Sequence, residues 1–102
     1  MALLREYKEI AYQWGIWKTE ESPEELLALL PDPERYEQQL TLFSSPHRKL
    51  EWLSVRVLLY QLLGEEKTIE YAPSGKPHLA DSSYFISISH TRGYVAVILS
   101  PV

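Results

Sequence analysis

The sequence predicts an α+β domain in which one long central helix packs on a small antiparallel sheet. Three observations carry that expectation. Helix-start signals recur three times between Ser22 and Pro46, an almost unbroken apolar helical pattern runs on to Leu63, and short strand-like segments separated by turn residues fill the stretch from Thr68 to Leu99. Helices followed by a run of antiparallel strands give an α+β arrangement rather than alternating units with a parallel sheet.

The elements follow in order. Ile10 to Lys18 carries three aromatics and two isoleucines and reads as a strand, with Gly15 marking a bulge or a close backbone approach. Ser22-Pro23 opens the first helix, and Glu25, three residues after Ser22, completes a capping box before the run Leu26 to Leu30. Asp32-Pro33 opens a second helix that runs toward Leu42, with Asp32 as its cap. Ser45-Pro46 opens the third and longest, which continues to about Leu63 and stops at Gly64. After Trp52 this helix is apolar on almost every side, as a buried central element should be. Thr68 to Tyr71 and Lys76 to Leu79 then read as strands around a Pro73-Ser74-Gly75 turn. The chain closes on a hairpin from Tyr84 to Leu99 whose short turn carries Ser89, His90 and Thr91; Tyr84, Ile86 and Ile88 should face the long helix, and Phe85, Ser87 and Ser89 the opposite side.

Composition bounds the function classes. A chain of 102 residues, 45% apolar, is expected to form a single domain over residues 1–102 with a modest core. The absence of cysteine excludes disulfides, thiol nucleophiles and thiolate metal sites, and suits a cytoplasmic location. No apolar run is long enough for a membrane span, and the opening residues lack the basic start and apolar core of a signal peptide. The net charge of −4 argues against nonspecific nucleic-acid binding. Its distribution is uneven: through Ser45 four basic residues face nine acidic ones, whereas from Pro46 onward six basic residues face five acidic ones. The second half is therefore where an anionic ligand could sit, while the acidic first half reads as solvated surface.

Within that second half the start of the long helix is unusual. His47, Arg48 and Lys49 occupy its first turn, where the helix dipole favours acids. Cations there, together with free backbone N–H groups, make a phosphate site; the alternative is that they are exposed cations paired with Glu51 or with acids of the first half. Arg56 lies seven residues after Lys49 and would extend a basic stripe past Trp52. Gly75-Lys76-Pro77 sets one lysine after a glycine turn, either toward a ligand or simply toward solvent. Ser89, His90 and Thr91 present two hydroxyls and an imidazole, which grip an anion or cap their own backbone.

Taken in order, these residues resemble a known family. Arg48-x-x-Glu51-Trp52-Leu53-x-x-Arg56-x-Leu58-Leu59, then Leu63-Gly64, Ile69-x-Tyr71, Gly75-Lys76-Pro77-x-Leu79 and Ile86-Ser87-Ile88-Ser89-His90-Thr91 are similar to the amino-terminal half of the Sfp-type 4'-phosphopantetheinyl transferases. Those enzymes move phosphopantetheine from coenzyme A to a serine of an acyl or peptidyl carrier protein, on two pseudo-symmetric α+β halves with coenzyme A between them. The resemblance implies that Arg48 contacts the 3'-phosphate of coenzyme A and that Arg56 binds alongside it or holds the site's structure. It implies that Gly75, Lys76 and Pro77 lie along the nucleotide, and that Ser89, His90 and Thr91 approach the phosphates. Ser87 stands where the family often has asparagine.

The family's metal ligands and base come from a Gly-x-Asp-x-Glu motif after the last strand and from a later helix with Glu and Lys, and neither motif occurs in this sequence. Mg2+ is thus expected only with a carboxy-terminal half, and this chain alone is expected not to turn over. Two other readings stay open. One is a noncatalytic interaction domain that recognises a protein partner, or self-association through a face meant for the other half. The other is a phosphocarrier that uses His90.

Overall fold

Side-chain oxygens start two of the three helices at which the sequence reading expects them. The computed structural model describes residues 3–8, as backbone, and 12–101. Helix α1 (Pro23–Ala28) begins with the full capping box: the Ser22 hydroxyl accepts from the Glu25 N–H, and the Glu25 carboxylate accepts from the Ser22 N–H. Helix α3 (Pro46–Leu63) begins at Ser45, whose hydroxyl accepts from the Arg48 N–H, and ends at Gly64, which takes the left-handed φ of 74° that favours glycine. Helix α2 (Glu34–Leu40) differs. Its cap residue is Pro33, not Asp32, and it has no side-chain cap. The Asp32 N–H instead donates to Glu66, whose carboxylate also holds Arg35 and the Tyr36 hydroxyl. Glu66 thus ties the start of α2 to the rest of the fold, and the helix stops at Leu40, two residues short of Leu42.

The strands form two sheets. β1 (Leu3–Lys8), β2 (Gln13–Lys18), β5 (Tyr84–Thr91) and β6 (Tyr94–Pro101) make a four-stranded antiparallel sheet in the order β1-β2-β6-β5. β3 (Ile69–Tyr71) and β4 (Pro77–Leu79) make a separate hairpin, with β4 beside β5. This corrects the expected order of helices first and sheet afterwards. The first two strands come from the chain's start, and β2 pairs along its whole length with β6 from the chain's end. Ile10, where the first expected strand began, lies outside the described residues. The register irregularity is not at Gly15, which pairs with Glu6 on one side and Val97 on the other; it falls in β1 between Leu3 and Arg5.

A second correction bears on the site. The β5–β6 turn is Arg92-Gly93, not Ser89 to Thr91, and both turn residues have positive φ, 35° and 84°. Such two-residue turns match the twist of the strands they join. Ser89, His90 and Thr91 therefore continue β5, where alternate side chains point to opposite faces.

Helix α3 is the middle of the domain. Eighteen residues give a length of about 27 Å, enough to cross the smallest dimension of 26 Å. Every residue from Leu53 to Leu59 is buried. One side packs on the inner face of β2 and β6, where Trp17, Val95, Val97 and Leu99 are buried; Leu26 and Leu30 close another side. As expected, Tyr84, Ile86 and Ile88 turn inward on β5 and Phe85, Ser87 and Ser89 outward. The one buried hydroxyl of α3, Ser54, hydrogen-bonds Thr19 at 2.7 Å, so it leaves no unsatisfied polar atom. Among the described residues no helix is long and apolar enough to cross a membrane.

Candidate functional site

An open cleft of about 420 Å³ lies between the first half of α3, the β3–β4 hairpin and the inner face of β5. Helical periodicity builds one wall. Arg48, Glu51, Trp52, Val55 and Arg56 follow the spacing i, i+3, i+4, i+7, i+8 and so share one face of α3. The hairpin contributes Tyr71, Gly75 and Pro77, the sheet contributes Ile88 and His90, and Phe43 closes the end. Gly75 reaches this position through a turn in which its N–H donates to the Ala72 carbonyl, at a φ of 89° that a side chain disfavours.

Arg48, Arg56, Gly75, Pro77 and His90, expected from the sequence as site residues, meet in this cleft although they come from three separate stretches of chain. The other three do not. Lys76 is exposed and lines a neighbouring depression with His78, Tyr84 and Phe85. Ser89 and Thr91 lie on the outer face of β5, in a shallow apolar depression that Ile16, His90, Tyr94, Val95 and Ala96 also line. The expected anion grip of two hydroxyls and an imidazole is thus divided, because alternation along a strand puts His90 on the inner face and its two neighbours on the outer one.

The two arginines play different parts. Arg48 is exposed, and among the described residues its guanidinium has no hydrogen bond or ion pair. Arg56 is 6% exposed; its guanidinium lies over the Trp52 ring at 3.8 Å from the centroid and donates to the Trp52 carbonyl and the Tyr71 hydroxyl. No carboxylate contacts it, and burial lowers its pKa from the ordinary arginine value. Phe43 and Tyr36 lean on Trp52 with ring centroids 5.9 and 5.8 Å away, so the stacked pair is walled by aromatics. The expected basic stripe from Lys49 to Arg56 is not formed. Lys49 does not line the cleft, and Arg56 is sealed against Trp52.

Glu51 is the feature that sequence reading assigned only a general pairing role. Its carboxylate meets His90 Nδ1 at 2.6 Å and His47 Nε2 at 3.6 Å. The i,i+4 spacing announces the His47 contact; nothing local announces His90, which is brought in by the fold. Phe43 likewise had no sequence signal, whereas Trp52 and Arg56 stand four apart on one helix face, the spacing at which such a stack forms.

Chemically the cleft offers an unpaired guanidinium, a partly exposed imidazole, aromatic rings and the backbone of a glycine turn, a set suited to an anion joined to a flat or apolar group. Among the described residues no group of three or more His, Asp or Glu side chains is arranged to hold a metal ion. No protein family matches the chain, and no curated protein matches it.

Proposed function

We propose that this domain binds the nucleotide end of coenzyme A as the amino-terminal half of a 4'-phosphopantetheinyl transferase that modifies an acyl or peptidyl carrier protein. One observation carries the reading. Five of the eight residues picked out by their resemblance to that family, from three stretches of sequence, line a single cleft of about 420 Å³, within the size range of small-molecule sites. In this reading Arg48 and His90 take the 3'-phosphate, and Tyr71 and Phe43 offer ring faces to the base. The backbone at Gly75 and Pro77 lies along the nucleotide, and Arg56 braces Trp52 and Tyr71 rather than meeting the ligand. The metal ligands and the base then belong to the other half, so the chain alone binds without turnover.

Calorimetric titration with coenzyme A and with dephospho-coenzyme A, which lacks the 3'-phosphate, tests this. Coenzyme A should bind about tenfold more tightly or better, the worth of one charge-assisted contact, and Arg48→Ala should erase the difference. Equal affinity for both compounds, or none for either, refutes the assignment.

A second reading is favoured by the outer face of the four-stranded sheet, where Phe85 is 62% and Ile98 51% exposed. An interaction domain would use this face. Light scattering that finds a concentration-dependent dimer, with no nucleotide affinity, would select it.

A further inference from the structure

Helix α3 covers the inner face of the four-stranded sheet, whereas on the outer face Phe85, Ile98 and Tyr94 remain 62%, 51% and 38% exposed. A sheet with apolar side chains on both faces needs a layer on each. Charge says what that layer is not. Of the described side chains that alternation turns outward on β2, β5 and β6, none is acidic and only Lys18, at a corner, is basic, although the chain carries fourteen acids and a net charge of −4. An ionic partner finds nothing to read on this face, and two copies that meet through it bring no acids together. The relief of the face points the same way. Ile98 and Phe85 stand out toward one end, and around Ala96 and Ser89 lies an apolar depression of about 520 Å³. The β5–β6 register sets Ile98 beside Ser87, Ala96 beside Ser89, and Tyr94 beside Thr91, with Phe85 beside Ser100 at the far end. These rows are two residues, or about 7 Å, apart.

We propose that this chain forms a reversible two-fold dimer through the outer face of its sheet, with Ile98 of each copy seated over Ala96 of the other. An axis that crosses the strands between the Ala96 and Ile98 rows lays β6 antiparallel on β6 of the second copy, within the small angle at which twisted sheets pack. Ile98 then enters the depression at Ala96, Tyr94 meets Ser100, and Phe85 meets Thr91. Each contact sets a larger side chain against a smaller one. An isologous interface is a single patch used twice, so it must carry both a shape and its complement, and this face carries both. Its size sets the strength. β5 and β6 have eight residues each, so strands about 27 Å long at a spacing of about 4.8 Å give a four-stranded footprint of about 500 Å² per copy. That is below the roughly 800 Å² per partner of a standard stable interface, so the dimer is weak and depends on concentration. It rests on neither functional reading, because the cleft lies on the inner side of the sheet.

Sedimentation velocity on the chain, from about 10 μM to about 1 mM, should find the average mass rising from one chain toward two. Ile98→Lys, at an exposed position, should weaken the association about tenfold or more, because it sets an unpaired charge against an apolar depression. Ala96→Glu should do the same by filling that depression with a charge. Mixed in equal amounts the two variants should associate again, since the new lysine of one copy lies against the new glutamate of the other and the second contact stays native. A single-chain mass across the whole range, which leaves the face to a different protein, overturns the dimer, as does growth past two chains or undiminished association of Ile98→Lys. Folded variants that stay apart when mixed overturn the two-fold register. If circular dichroism finds Ala96→Glu unfolded, Phe85→Lys with Thr91→Glu makes the same test at two exposed positions.

Discussion

Replacing Arg56 by methionine separates the charge of this side chain from its bulk. The guanidinium gains a cation–π contact with Trp52 at 3.8 Å, worth up to about 2 kcal/mol where water is excluded. Its hydrogen bonds to the Trp52 carbonyl and the Tyr71 hydroxyl are long, at 3.3 and 3.4 Å, so each is worth about 1 kcal/mol at most. Against this total of about 4 kcal/mol stands the loss of hydration of a buried charge that no carboxylate neutralises, which costs several kcal/mol. The charge therefore contributes close to nothing net. The stem is different, since its methylenes fill space beside Trp52, at about 0.8 kcal/mol for each buried CH2. Arg56→Met keeps most of that volume and should shift the urea-unfolding free energy by less than about 1 kcal/mol, in either direction. Arg56→Ala removes the stem, exposes the Trp52 face to a cavity and should cost about 2 to 4 kcal/mol. Equal destabilisation by the two substitutions would refute this balance and make the charge itself the stabilising element. The same variants inform the site: if Arg56 only braces the cleft, Arg56→Met should retain most of the preference for coenzyme A over dephospho-coenzyme A.

Three further outcomes are expected. Burial, and then the adjacent Glu66 carboxylate, push the Tyr36 hydroxyl up to about 12 from an ordinary value of 10.0; because the unfolded chain ionises first, the stability held by neutral Tyr36 is intact below pH 10 and falls as pH rises toward 12, a decline that Tyr36→Phe should reduce in alkaline unfolding followed by phenolate absorbance. Lys67, and next Ser83, hold the Asp81 carboxyl down at about 2 from 3.8; its stabilising effect is full above about pH 4 and is lost as pH falls toward 2, so carbon NMR should find this carboxyl titrating well below 3.8, and Lys67→Ala should bring it back toward that value. Arg92 has a φ of 35° ahead of Gly93, so Arg92→Asn, which creates the preferred Asn-Gly turn, should raise stability by about 0.5 kcal/mol in thermal unfolding, and a lower melting temperature would count against the turn assignment.

What was legible in the sequence was local. Ser22 with Glu25, Ser45 with Pro46, and Gly64 announce helix ends because capping involves residues within four positions of one another. The face of β5 that carries Ile86 and the helix face that carries Arg48, Trp52 and Arg56 follow from strand and helix periods, which any stretch of sequence displays. Asp32 does not cap α2; its N–H is held instead by Glu66, thirty-four residues away, a contact with no local signal. The β5–β6 turn was misplaced by two residues because Arg92 is a poor indicator of positive φ, and that shift alone decides which side chains flank His90.

The amino-acid sequence by itself therefore determined the long buried helix, its basic start and the strand character of its last third, since these depend on neighbours along the chain. Tertiary structure alone decided that the sheet is closed by pairing β2 with β6, that Arg56 stacks on Trp52 away from solvent, and that Glu51 meets His90. Those are contacts between distant segments, or choices of burial for one long side chain, and their energies arise only when the chain is packed. The division is physical: propensity and period act over a few residues, whereas the charge state and company of a side chain depend on what the fold brings against it.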